Sequence, residues 1–115
     1  EDLEGWKILA RTCMLTGYVQ KANKYYLKAI DLIPNDIELL SEYAFFKRNN
    51  NKLSESIIIS ERINLINPED IDNLVFLTQL YSETNNTEKF EELIEILKSK
   101  NIDSQIIKEL KENQR

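Results

Sequence analysis

Two arginines, Arg11 and Arg48, carry guanidinium groups that could bind a carboxylate. The chain contains only four arginines, and both of these lie in segments with the apolar spacing of helices. A guanidinium is planar and binds a carboxylate through two parallel hydrogen bonds. We therefore expect a surface that carries both side chains to bind a peptide carboxylate. The alternatives are a surface ion pair for Arg11 and an interaction with a helix C-terminus for Arg48.

An apolar strip is predicted beside these arginines. Phe45 and Phe46 are adjacent, so they cannot both point to the same side of a helix. We expect one of them to face the binding surface, with Phe45 as the candidate and Phe46 as the alternative. Apolar strips next to cations suit an amphipathic helix or a chain terminus as the bound partner. The complete set of candidate groove residues is Lys7, Arg11, Met14, Leu15, Phe45, Arg48, Val75 and Gln79, and Phe76 would extend the strip.

Composition argues against several other functions. The 115 residues include no His and one Cys, which excludes a His-dependent triad, a Cys/His zinc site and an internal disulfide. The net charge of -5 argues against a nucleic-acid surface. No stretch approaches the roughly 20 apolar residues of a membrane-spanning helix. We expect a binding protein and not an enzyme, with no metal, no cofactor, no nucleic-acid partner and no membrane insertion of these residues.

A repeat of 34 residues positions these side chains. Pro34 and Pro68 are 34 residues apart, and each closes a similar phrase, residues 28–34 and 62–68. The first repeat matches the tetratricopeptide pattern, in which small residues let two antiparallel helices approach closely. Its matching residues are Trp6, Leu9, Ala10, Ala22, Tyr26 and Pro34, with a second small residue at Ala29; Cys13 is off type at its position but still apolar. The side chains expected to fill the space between its two helices are Trp6, Leu9, Tyr26 and Ile30.

The later repeats keep the spacing with looser chemistry. In the second repeat Ser56 and Ser60 replace the small residue and the aromatic residue of the pattern, and we expect the loss of the aromatic ring to thin the packing there. The third repeat has Phe90 where a small residue belongs, and it lacks a closing proline. The other matching positions are Leu40, Tyr43, Ala44 and Ile63 in the second repeat, and Leu74, Leu77, Thr78, Tyr81, Ile94 and Leu97 in the third.

The pattern predicts an all-α fold, an α-α superhelix of the tetratricopeptide type with three helical hairpins and a capping helix. The hairpins correspond to repeats at about 3–36, 37–70 and 71–102, within one domain that covers residues 1–115. Apolar periodicity and turn residues predict seven helices. Their bounds are 3–16, 20–33, 37–48, 53–66, 70–83, 87–99 and 103–113. In the last helix, Ile106, Ile107 and Leu110 form the predicted apolar face. An unrelated helical bundle is the alternative.

A narrower resemblance rests on the first part of the chain. Residues 5–18, which read GWKILARTCMLTGY, are followed by Ala22, Tyr25, Tyr26, Ala29, Ile30 and the Pro34-Asn35-Asp36 turn, and then by Tyr43 and Ala44. This part resembles the tetratricopeptide domains of bacterial c-type cytochrome biogenesis proteins, of the cytochrome c maturation and formate-dependent nitrite reductase assembly types. Ser56, Ser60 and Phe90 depart from the family pattern.

The resemblance implies a function. Such a domain captures the C-terminal region of apocytochrome c and presents it to the haem-attachment machinery, on the periplasmic side of the bacterial inner membrane, tethered by a segment outside these residues. The candidate contacts would be Arg11, Met14, Leu15, Phe45 and the face of the fifth helix. The alternative is a scaffold that assembles another complex, in secretion, pilus formation or signalling, with a cytoplasmic location. We expect a monomer, with self-association through the end of the stack as a further possibility.

Overall fold

The computed structural model describes residues 2–113, which form helices joined by short turns. Seven helices lie in this range: α1 (Leu3–Leu15), α2 (Val19–Leu32), α3 (Ile37–Asn49), α4 (Leu53–Ile66), α5 (Ile71–Glu83), α6 (Thr87–Ser99) and α7 (Ser104–Glu112). Every predicted helix is present, and each end lies within one residue of its predicted position. No helix of the described residues has the length and hydropathy needed to cross a bilayer.

The first helix of each hairpin begins at an aspartate. The side chains of Asp2, Asp36 and Asp70 accept a hydrogen bond from a backbone N–H in the first turn of α1, α3 and α5. An N-cap carboxylate satisfies one of the free N–H groups at a helix start and stabilises a helix by about 1 kcal/mol. These aspartates are 34 residues apart, so the repeat sets where each hairpin starts.

The turn inside each hairpin uses a left-handed residue at the same repeat position. Gly17, Asn51 and Asn85 have φ values of 84°, 60° and 58°. Glycine adopts this region without steric cost, and asparagine is among the few other residues that tolerate it. The third turn therefore keeps the conformation of the first although its repeat lacks a closing proline.

The hairpins α1–α2, α3–α4 and α5–α6 pack against one another in chain order, and the molecule is elongated, with dimensions of 44 × 26 × 21 Å. One apolar cluster fills the first two hairpins, and it includes Tyr26, Phe46 and Ile63. A second cluster joins α5 and α6 to the capping helix α7, and it includes Phe90. Phe90 is fully buried at the position where the pattern calls for a small residue.

Two packing predictions were wrong. Leu9 was expected to fill the first hairpin, but it is 37% exposed. The equivalent residues Tyr43 and Leu77 are buried against the preceding hairpin, and no hairpin lies on that side of α1 among the described residues. Ile106 was expected on the buried face of α7 but is 38% exposed, because Ile107 and Leu110 alone share the face that packs on the second cluster.

Candidate functional site

The inner face is the surface formed by the first helices of the three hairpins, α1, α3 and α5. It carries the predicted groove residues, and it divides into two layers. The first layer lies between α1 and α3, and the second lies between α3 and α5. The two layers differ in charge, in polarity and in how much space they leave.

In the first layer, Arg11, Tyr26 and Glu42 form a hydrogen-bonded triad that links α1, α2 and α3. Arg11 donates from Nε to both Glu42 oxygens, at 3.1 and 2.9 Å, and from a terminal nitrogen to Oε1 at 2.9 Å. The Tyr26 hydroxyl donates to Glu42 Oε2 at 2.8 Å and lies 3.6 Å from the sulfur of Met14. The Tyr26 ring is fully buried, with its centroid 5.5 Å from that of Tyr43.

The hydrogen bonds of the triad stabilise the ordinary protonation states of its three side chains near neutral pH. Burial alone would raise the pKa of Glu42, but hydrogen bonds from Arg11 and Tyr26 outweigh it, and the pKa lies below the usual value for glutamate. The hydrogen bond to Glu42 raises the pKa of Arg11, although burial opposes it. Burial and the hydrogen bond to Glu42 raise the pKa of the Tyr26 hydroxyl. Near neutral pH the arginine is therefore cationic, the glutamate anionic and the tyrosine neutral.

The other cations of the inner face are also paired within the chain. Arg48 forms a bidentate ion pair with Glu83 of α5, with Nε 3.0 Å from Oε1. The ammonium group of Lys7 lies 3.5 Å from Glu4, and its side chain is only 17% exposed. The guanidinium groups that were expected to receive a guest carboxylate are thus already bound to carboxylates of the protein itself.

The second layer contains an apolar cavity of about 200 Å³ that opens onto the inner face. Phe45 is 51% exposed at this cavity, whereas Phe46 is 1% exposed in the core, so Phe45 is the residue of the pair that faces the groove. Most of the cavity surface is apolar, and Asp72 and Ser41 supply polar groups. The residues that line it are Ser41, Ala44, Phe45, Asp72, Asn73 and Phe76.

The cavity exists because residues at equivalent positions differ between the layers. The residues that lie 34 positions after Arg11, Tyr26 and Glu42 are Phe45, Ser60 and Phe76. An ion pair is replaced by two phenylalanines, and a buried aromatic ring by a serine. Ser60 itself does not line the cavity, but its hydrogen-bond partner Asn73 does, so the expected thinning of the packing at Ser60 stays a prediction.

Ser60 is buried without leaving an unpaired polar atom. Its hydroxyl donates to Asn73 Oδ1 at 2.7 Å, and Asn73 Nδ2 donates to the Ser60 carbonyl at 2.9 Å. Asn73 stands 34 residues after Leu39, which is apolar and buried. This polar pair fixes α5 against α4 with short side chains, and its Asn73 also lines the cavity.

The remaining predicted residues lie apart from the cavity. Met14 packs partly against the first apolar cluster, and Val75 packs partly against the second. Leu15 is 81% exposed at the end of α1. Gln79 lines a separate polar cavity of about 170 Å³ together with Arg48 and residues of α5 and α7.

Sequence reasoning left an ion pair of Arg11 as an alternative but did not identify Glu42 and Glu83 as the partners of the two arginines. The signal was available in the repeat register, because Glu42 and Glu83 occupy the neighbouring first helix close to one repeat after Arg11 and Arg48. Asn73, which lines the cavity, was not among the residues expected on the groove face. Within residues 2–113 no cluster of three or more His, Cys, Asp or Glu side chains could hold a metal ion.

Comparison with known proteins identifies the architecture. Neither the protein-family models nor the curated protein sequences yield a match to this chain. Among solved structures, the N-terminal domain of stress-induced protein-1 (STI-1) from C. elegans aligns over 98% of this chain and 94% of its own, with a TM-score of 0.80 and 18% sequence identity. The fold is an α-α superhelix of the tetratricopeptide type. At this identity the likeness concerns the fold alone, and the resemblance to cytochrome biogenesis proteins stays a prediction.

Proposed function

We propose that this superhelix is a protein-binding module that holds a segment of another protein on its inner face, with the cavity at Phe45 and Phe76 as the anchor site. The observation that carries the proposal is the half-exposed Phe45 ring beside an apolar cavity. Binding pockets combine an apolar lining with a few polar groups, and aromatic anchors contribute much of the affinity of protein interfaces. A guest side chain in this cavity would bury apolar surface that is now in contact with water.

The narrower proposal concerns the identity of the guest. The resemblance of residues 5–45 to cytochrome biogenesis proteins supports the C-terminal region of apocytochrome c as the guest, held for presentation to the haem-attachment machinery. It also supports a location on the periplasmic side of the bacterial inner membrane, with a tether outside these residues. A guest that must later be released needs only micromolar affinity, about -8 kcal/mol.

Calorimetric titration tests the narrower proposal. Peptides from the C-termini of apocytochromes are titrated into the protein, with scrambled peptides as controls. We expect micromolar binding of the native peptides. Equal heats from native and scrambled peptides would reject the apocytochrome proposal and would favour a scaffold for another complex.

A pair of variants tests the anchor site. Phe45→Ala should weaken binding of any guest by about five- to tenfold, because interface anchors contribute more than about 1 kcal/mol. Ile58→Ala is the matched control, because Ile58 is 66% exposed on α4, outside the inner face. Equal affinities of the two variants and the unmodified protein would place the binding site elsewhere.

A further inference from the structure

We propose that the guest of the cavity is a basic amphipathic segment of a partner protein, recognised by an apolar side chain that enters between Phe45 and Phe76 and by a Lys or Arg that pairs with Asp72. The terminal carboxylate of the guest takes no part in this recognition. The inference rests on the proposed function and names the chemical class of its guest.

The size and lining of the cavity specify the anchor. A cavity of about 150 Å³ accepts a benzene molecule, so about 200 Å³ is enough for one Phe, Leu or Met side chain. The lining is largely apolar, with the two phenylalanine rings at its sides and Ala44 as a small residue. A charged or amide side chain in this space would lose hydration without gaining enough hydrogen bonds.

The charges around the cavity specify the flanking residues. Asp72 lines the cavity and is exposed, and Glu38 occupies the equivalent position one repeat earlier and is also exposed. Neither carboxylate forms an ion pair within residues 2–113, whereas Lys7, Arg11 and Arg48 of the inner face each do. The charge left available to a guest is therefore negative. The net charge of -5 on the whole chain also favours approach of a cation.

A guest carboxylate is disfavoured by the same pairing. To reach Arg11 it would have to displace Glu42, which accepts hydrogen bonds from both Arg11 and Tyr26. Displacement would also break the 2.8 Å hydrogen bond from the buried Tyr26 hydroxyl to Glu42, and the loss of a buried hydrogen bond to a charged group is costly. At Arg48 the guest would have to displace Glu83 from a bidentate pair.

Two synthetic peptides test the inference. They share one apolar face of Leu and Phe and differ only in the other face, which carries Lys in one peptide and Glu in the other. Each is labelled with a fluorophore, made with a free and with an amidated C-terminus, and titrated by fluorescence anisotropy. We expect the Lys peptide to bind at least about tenfold more tightly at low salt, because complementary charge favours association. Amidation should leave its affinity unchanged.

Two charge variants test whether Asp72 accounts for the preference for the Lys peptide. Asp72→Asn keeps the shape of the side chain and should weaken the Lys peptide by about two- to fivefold, the range of an exposed ion pair. Asp31→Asn makes the same change in net charge on α2, at an exposed residue outside the inner face, and should leave the affinity within error. Equal loss in both variants would overturn the role of Asp72.

The outcomes separate this inference from the proposed function. Equal binding of the Lys and Glu peptides, with both weakened by Phe45→Ala, would overturn the charge preference and leave the binding module in place. Tighter binding of the free-acid peptide than of the amidated one would overturn the exclusion of the terminal carboxylate. Absence of binding by both peptides would contradict the inference and the anchor site together.

Discussion

The two layers of the inner face share the same backbone repeat but have different surfaces. The first layer carries an ion pair, and the second contains an apolar cavity. In the first layer Tyr26 fills the space between the helices and its hydroxyl helps to fix the Arg11–Glu42 pair. In the second layer Ser60 stands in place of the tyrosine, and the two phenylalanines stand in place of the ion pair. The layer that lacks a large buried side chain at this repeat position is thus the layer that contains the apolar cavity.

The apolar core is also divided into two clusters, and the boundary lies near the second layer. The first apolar cluster ends near α4 and the second begins at α5, with the buried polar pair of Ser60 and Asn73 between them. Hydrogen bonds between short side chains hold the backbone where aromatic packing is absent. The cavity therefore lies where hydrogen bonds between short side chains hold the helices, since Asn73 of the polar pair also lines the cavity.

The largest expected effect on stability comes from removing the buried ring of Tyr26 in the first layer. Tyr26→Ser gives the first layer the serine of the second, and it should lower the free energy of unfolding by about 3–5 kcal/mol, because a fully buried ring is lost. Urea unfolding followed by circular dichroism measures the loss. Tyr25→Ser is the control, since that ring is only partly buried against Trp6 and should cost less. A loss no larger than the control would show that the ring does not close this layer.

The next largest effect concerns the polar pair of the second layer. Ser60→Ala removes the donor to Asn73 Oδ1, and a buried acceptor without a partner costs about 1–3 kcal/mol. Ser56→Ala is the matched control. The Ser56 hydroxyl donates to the carbonyl of Ala44 within helix α3. A carbonyl inside a helix also accepts a backbone hydrogen bond, so removing the hydroxyl does not leave it without a partner. Urea unfolding of both variants should show the larger loss for Ser60. Equal losses would mean that the pair does not support the cavity.

A smaller effect is expected for the carboxylate of the first layer. The lowered pKa of Glu42 means that its stabilising contribution is fully present above the ordinary glutamate pKa and is lost as the pH falls through the lowered value. Glu42→Gln should cost about 1 kcal/mol near neutral pH, and its difference from the unmodified protein should shrink as the pH falls below about 4. Thermal unfolding across this range measures it, with Glu38→Gln as the control. A difference that is independent of pH would contradict the ionised triad.

The smallest effect is expected at the second arginine. Arg48→Met combined with Glu83→Gln keeps the net charge and removes the ion pair between α3 and α5. We expect less than about 1 kcal/mol in stability, as for other exposed pairs, and no change in the affinity of the Lys peptide. A loss of affinity comparable to that of Phe45→Ala would restore the arginine as a guest contact.

The sequence specifies the fold more fully than the site. Helix positions follow from apolar period and from residues that repeat every 34 positions, such as Asp36 and Asp70 at the helix starts, and these signals are local. The state of Arg11 depends on Glu42, which lies 31 residues away on another helix and competes with any guest. Leu9 shows the same limit, because its exposure depends on what packs against α1 and not on its own type.

Intermolecular nuclear Overhauser effects between the Lys peptide and the isotope-labelled protein would show whether the peptide binds at the cavity of Phe45 and Phe76. We predict contacts from the apolar face of the peptide to the ring protons of Phe45 and Phe76, and none to Leu65 and Ile96, which line a groove outside the inner face. Contacts to Leu65 and Ile96 without contacts to the two phenylalanines would contradict the account.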